Sequence, residues 1–409
     1  MRRTLALIGL AALARLAGAQ NPALPSCDAP RATPRGRTPV DLPTSIRSNH
    51  FVVTVCRGDR TLSFVLDTGA PFSIIDLSLA KDLGIEIGQS YTARGAGAGA
   101  IAAAGVRRDS VRIAGTDVVA PFAQAMDFRA LNATGRLQLQ GILGADFIDR
   151  FVLGLDYRDS VISVYDRSAF AYTGKGTVVP FTMSRGFIFV NGDLTLLDGT
   201  RLPGRFVVDV GASGSLALAK PFVDANRLRE RAGHTIRRES GRGVGGVVMA
   251  DVGRAQAFSI GGATLQHPII TLSGDSAGVL SGSSLGDGNI GGEILRRFTV
   301  LLDYARKNLI FERHDDTDEP FETEMTGLAM VPALNGTGLV VSSVVARSPA
   351  AEAGIVAGDT VVAIDDKPAT LAVLDAARPK TVREGQRITF TVRRKGMDVQ
   401  VQVVTRRMV

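Results

Sequence analysis

Two stretches of this chain repeat each other in the same order, and no other feature constrains its fold as strongly. The run "FVLDTGAPFS", residues 64–73, aligns with "FVVDVGASGS", residues 206–215, so Asp67 pairs with Asp209. A second run, "GILGADFIDRFVLGLDYRDSVISVYD" from Gly141, aligns with "GNIGGEILRRFTVLLDYARKNLIFE" from Gly288. In it Gly144 pairs with Gly291, Phe151 with Phe298, and Asp156-Tyr157 with Asp303-Tyr304. Between these blocks each copy carries a Gly-rich stretch, residues 94–105 in the first and 240–253 in the second. Two matched blocks in one order mean duplication, with length differences confined to loops.

The duplication changes the meaning of Asp67. Alone, an acid between an apolar run and a Gly reads equally well as a strand-to-turn transition. Two copies of one unit, however, tend to pack about a pseudo-twofold axis. If each Asp-x-Gly-Ala turn lies at that axis, Asp67 and Asp209 meet. Two carboxylates in contact cannot both ionise, so they share one proton and titrate as a pair. One then serves as general base toward water while the other donates to a substrate carbonyl. Glycine at Gly69 and Gly211 lets backbone approach both the partner turn and the substrate.

With these motifs the chain resembles the aspartic peptidases, of the retropepsin-like and pepsin-like type found in bacterial exported proteins, over roughly residues 43–312. The resemblance implies a mostly β, bilobal fold of two duplicated, barrel-like lobes of the six-stranded type. It implies a catalytic dyad of Asp67 and Asp209, with Thr68, Gly69, Gly211, Gly144 and Gly291 as its support. The Gly-rich hairpins, with Gly95, Gly97, Gly99, Gly243 and Gly245, become flaps over a polypeptide substrate. Both copies lie in one chain, so the catalytic unit is expected to be monomeric. Two residues depart from the family pattern: Val210 stands where a cross-bonding hydroxyl is usual, and Asn289 replaces an apolar residue. Both predict a looser second lobe and keep open an alternative, a catalytically inactive module that binds peptides outside the cytoplasm. Ala70 and Ala212 offer no hydroxyl to the carboxyls, which predicts higher pKa values and activity reaching mildly acidic or neutral pH.

After the acidic stretch "HDDTDEPFETE" the composition changes. "SPAAEAGIVAGDTVVAIDDKPA", residues 348–369, closely resembles a bacterial PDZ domain, and alternating strands with a short helix over 371–377 agree. The resemblance implies capture of a C-terminal peptide ligand by strand addition. The carboxylate would be held by the loop at Gly327, Leu328, Ala329 and Met330, with Leu371 and Leu374 lining an apolar pocket.

The N-terminus carries Arg2 and Arg3, a short apolar run and Ala17-Gly18-Ala19, the pattern of a cleaved export signal. Export to the periplasm or outside the cell is therefore expected, and no later segment reads as a membrane span. In an exported protein Cys27 and Cys56 could form one disulfide, which sequence alone leaves open. The formal charge of +7 includes three arginines of the signal, and no basic block is interleaved with aromatics, so no nucleic-acid partner is expected. Two Cys and four scattered His give no metal-ligand spacing, and no cofactor or metal is expected. His50, His234, His267 and His314 read as surface or loop residues. The division is a signal peptide at 1–19, a tail or linker at 20–45 (a propeptide is the other reading), lobes at 46–175 and 176–313, an acidic linker at 314–324, and the PDZ domain at 325–409.

Overall fold

The computed structural model describes residues 24–133, 137–274, 278–282, 285–333, 336–371, 373 and 383–409. The expected signal peptide and most of the helix over 371–377, Leu374 included, lie outside these residues.

The first lobe grows from hairpins whose apolar residues alternate. In His50–Arg57 and Arg60–Leu66, a two-residue turn at Gly58-Asp59 pairs Arg57 with Arg60. Phe51, Val53, Val55, Leu62, Phe64 and Leu66 thereby fall on one buried face. The strand Arg60–Leu66 then runs parallel to Gly141–Leu143, which lies antiparallel to Ile74–Asp76. The second lobe repeats the arrangement: Arg201–Val208 runs parallel to Gly288–Ile290, which pairs antiparallel with Leu216–Leu218. The duplicated sequence therefore folds into duplicated topology. Among the described residues the lobes' sheets have eight and ten strands, more than the six expected of each. The flap hairpins and the strands that continue them account for much of the excess.

A six-stranded sheet is instead shared between the lobes. At its centre Val152–Asp156 pairs with Phe298–Asp303, in the register Val152↔Asp303, Gly154↔Leu301 and Asp156↔Thr299. Gly154 and Leu301 are counterparts in the repeat, so each copy meets the other as one partner of a symmetric dimer meets its mate. Each Asp-Tyr pair ends its strand and opens a turn. Asp156 accepts the N–H groups of Arg158 and Asp159, and Asp303 accepts that of Arg306 at 3.0 Å. One apolar core runs through both lobes from Leu42 to Phe321.

The C-terminal module has its own core, from Met325 to Val403. Its sheet places Leu328–Pro332 at one edge and Met397–Val404 at the other. The acidic stretch before it is not a free linker. Arg297, buried to 1% exposure, stacks on Phe321 at 3.6 Å and donates to the Thr317 carbonyl at 3.0 Å. Arg254 donates to the carbonyls of Phe321 at 2.7 Å, His267 at 2.9 Å and Val409 at 2.9 Å, tying the module to the second lobe. A disulfide joins Cys27 to Cys56. Among the described residues no helix is long and apolar enough to cross a membrane.

Candidate active site

Each long strand delivers its aspartate at the end of the parallel pairing. Asp67 N–H donates to the Leu143 carbonyl at 3.0 Å, and Asp209 N–H to that of Ile290 at 3.0 Å. Each carboxyl then accepts the N–H two residues on: Gly69 to Asp67 Oδ1 at 2.7 Å, Gly211 to Asp209 Oδ1 at 2.9 Å. The first residue of the short helix after the neighbouring strand closes the turn in both copies. Ala145 N–H donates to the Ala70 carbonyl at 2.8 Å and Gly292 N–H to that of Ala212 at 2.7 Å. A Cβ at Gly144 would lie 2.5 Å from Phe72 backbone, and one at Gly291 2.4 Å from the Gly214 carbonyl, so both positions require glycine.

The two turns interlock. A Cβ on Gly69 would stand 2.7 Å from Asp209 Oδ1, and one on Gly211 2.2 Å from the Asp67 carboxyl carbon. Each aspartate thus rests against the other copy's glycine, which brings the two carboxyls together. Both residues remain partly exposed, yet protein encloses them closely enough for burial to dominate their titration. Burial, reinforced by the charge of Asp209, pushes Asp67 well above the usual carboxylate range. Burial also raises Asp209, opposed first by a hydrogen bond from Asn289.

That bond corrects the reading of Asn289 as a loss. Its Nδ2 donates to Asp209 Oδ2 at 2.6 Å, while the backbone keeps the register of the first copy. Ala70 and Ala212 supply no hydroxyl, as the sequence indicated, but Asp209 receives a side-chain donor from the adjacent strand. Val210 behaves differently. The Thr68 hydroxyl donates to the Val208 carbonyl at 2.6 Å and accepts from Val210 N–H at 3.0 Å. Val210, fully buried, has no hydroxyl to return the contact. The cross-lobe clasp is made from one side.

Sequence reasoning missed a second clasp. Ser48 and Asn49, at φ 53° and 61°, form the two-residue turn between Ser45–Arg47 and His50–Arg57. This first-lobe turn reaches the second copy's catalytic loop. Asn49 Nδ2 donates to the Ser213 carbonyl at 3.0 Å and to Glu293 Oε2 at 3.1 Å. His50 Nε2 stands 3.0 Å from the Gly211 carbonyl oxygen. His50 is therefore a buried contact between lobes rather than a surface residue, and the side chain of His314, bonded to Thr299 Oγ1 at 2.8 Å, is largely enclosed. The Ser-Asn pair between two strand-like runs was the available signal; its tertiary partner was not visible.

The Gly-rich segments of the two lobes meet. Gly99 N–H donates to the Gly245 carbonyl at 2.8 Å, and Gly245 N–H to that of Ala96 at 2.7 Å. Gly95 faces Val244, Gly243 faces Ala96, and Gly97 faces Gly245, so all five sequence-selected flap glycines come together. In the C-terminal module Gly327 lies in a loop at φ 87°, whereas Leu328, Ala329 and Met330 already belong to the edge strand. The Gly327 amide is engaged at 2.6 Å by the Glu324 carboxylate.

Residues 53–147 and 191–294 match the model of the aspartyl protease family, and residues 311–405 match that of the PDZ domain, a match that begins upstream of position 325. No curated protein matches the chain. Among solved structures, the crystal structure of an aspartic proteinase from Irpex lacteus is similar over 69% of this chain and 99% of its own, at 14% identity and a TM-score of 0.44.

Proposed function

Because the duplicated unit of this chain belongs to the aspartyl protease family and its C-terminal module to the PDZ domains, we propose that the protein is an aspartic endopeptidase whose PDZ domain engages the C-termini of substrates or partners. The observation that carries this reading is the meeting of Asp67 and Asp209, each resting against the other copy's turn glycine. One carboxyl takes a proton from water as the water oxygen adds to the peptide carbonyl carbon. The other passes its proton to the carbonyl oxygen, giving a gem-diol. On collapse, one diol proton returns to the second carboxyl and the first delivers its proton to the leaving nitrogen. The flaps shield this exchange from bulk water.

An extracytoplasmic location, periplasmic or secreted, fits the Cys27–Cys56 disulfide, which persists in oxidising compartments. A monomeric catalytic unit fits a sheet already completed within one chain. Leu328–Pro332, at the edge of its sheet, is suited to strand addition by a peptide. The second reading, a peptide-binding module without turnover, draws on Val210 and the one-sided clasp.

The deciding experiment is cleavage of an unstructured protein between pH 3 and 8, roughly the span over which raised carboxyls titrate. Pepstatin-sensitive cleavage that Asp67→Asn reduces by about 10³-fold or more supports the peptidase. Peptide binding with no turnover anywhere in that span supports the binder.

A further inference from the structure

We propose that Asn289 is a positioning residue that assigns the shared proton of the dyad to Asp67 and keeps Asp209 as the ionised member. The proposal deepens the two-carboxylate reading above and rests on it. The argument is a count of donors. Asp209 Oδ1 receives the Gly211 N–H at 2.9 Å and Asp209 Oδ2 receives the Asn289 amide at 2.6 Å. Both oxygens therefore meet N–H groups, the environment of a carboxylate, which only accepts. Asp67 Oδ1 receives the Gly69 N–H at 2.7 Å, but the residue equivalent to Asn289 in the first copy is Ile142, which has no donor. Hence the proton between the two carboxyls belongs with Asp67.

The fold holds the amide where it acts. Asn289 is buried on the middle strand Gly288–Ile290, paired to Val207 on one side and Ala217 on the other. Other polar groups leave this asymmetry in place. Tyr157 senses the charge of Asp209 and Tyr304 that of Asp67, and burial pushes both phenols up, so each stays neutral. His50 reaches the loop through the Gly211 carbonyl, and Glu293 on the following helix is engaged by Arg296 and Asn49. The preference of Asp209 for charge agrees with the lowering that the Asn289 bond exerts on it. The roles follow. Asp209 takes the proton from water as the oxygen attacks, and Asp67 protonates the carbonyl oxygen.

The test uses the full-length protein with carbon-13 in its aspartate carboxyls, the two dyad signals being assigned with Asp67→Asn and Asp209→Asn. In the wild type Asp209 is expected to ionise first. In Asn289→Leu, similar in shape and without a donor, the first ionisation moves up by about one pH unit, and the acid limb of the kcat/KM profile moves with it. The alkaline limb, which reports loss of the second proton, stays in place. Asn289→Ile, which copies the first lobe, serves if the leucine variant folds poorly. Asp67 ionising first, or a first ionisation unmoved in a folded variant, overturns the proposal. If the wild type cleaves nothing, the peptidase reading fails, while the carboxyl titration still decides where the proton resides.

Discussion

Asp67 is where burial and charge conflict most openly. The ordinary value for its carboxyl is 3.8, and burial together with the adjacent Asp209 charge lifts it well above that. Above pH 3.8 the unfolded chain therefore releases a proton that the folded chain retains. Stability must fall as pH rises from there until the folded-state pKa is passed. Asp67→Asn removes this penalty. The variant is expected to melt above the wild type at neutral pH, with the gap closing below about pH 3, where both states are protonated. Thermal unfolding over a pH series checks the sign; a variant less stable than wild type at pH 7 contradicts it. The same side chain is thus worth more to chemistry than to the fold, as expected where two acids are held together for function.

At the scale of elements the flaps are the most exacting contact, because backbone meets backbone. A Cβ on Gly245 would stand 2.5 Å from the Gly97 carbonyl oxygen, with no flexible side chain to yield. Gly245→Ala is expected to part the tips and lower kcat/KM by about 10- to 10²-fold, since small displacements at a reacting site are costly. A melting temperature near that of wild type, measured alongside the kinetics, separates this from unfolding. These glycines were legible in the sequence, as were the two aspartate turns, because each follows from the repeat. The Asn289 amide was not, because its meaning depends on strand register: at that position in the first copy, Ile142 is simply apolar. The turn at Ser48-Asn49 was likewise opaque, since its partners, Gly211 and Ser213, lie in the other lobe.

Across the whole molecule the lobes share one core and one sheet, while the PDZ domain has its own core and joins through a few polar anchors. Arg254 is one of them, bonded to the Phe321 carbonyl and to the main-chain oxygen of Val409. Arg254→Ala is expected to let the PDZ domain melt ahead of the lobes, visible as a separate calorimetric transition, with turnover of a short peptide retained. Melting of the variant in step with the lobes would mean that the remaining contacts carry the coupling. The bilobal division was legible from the duplication. The packing of the acidic stretch was not, because Arg297 meets it through a ring and a row of carbonyls, which charge patterning does not reveal. The pairing of Gly154 with its own counterpart, Leu301, has a last consequence. A homodimer must write every substitution into both halves at once. Here the halves are fused, so each position can differ between them, and valine at 210 and an amide at 289 stand in one half opposite threonine and isoleucine in the other.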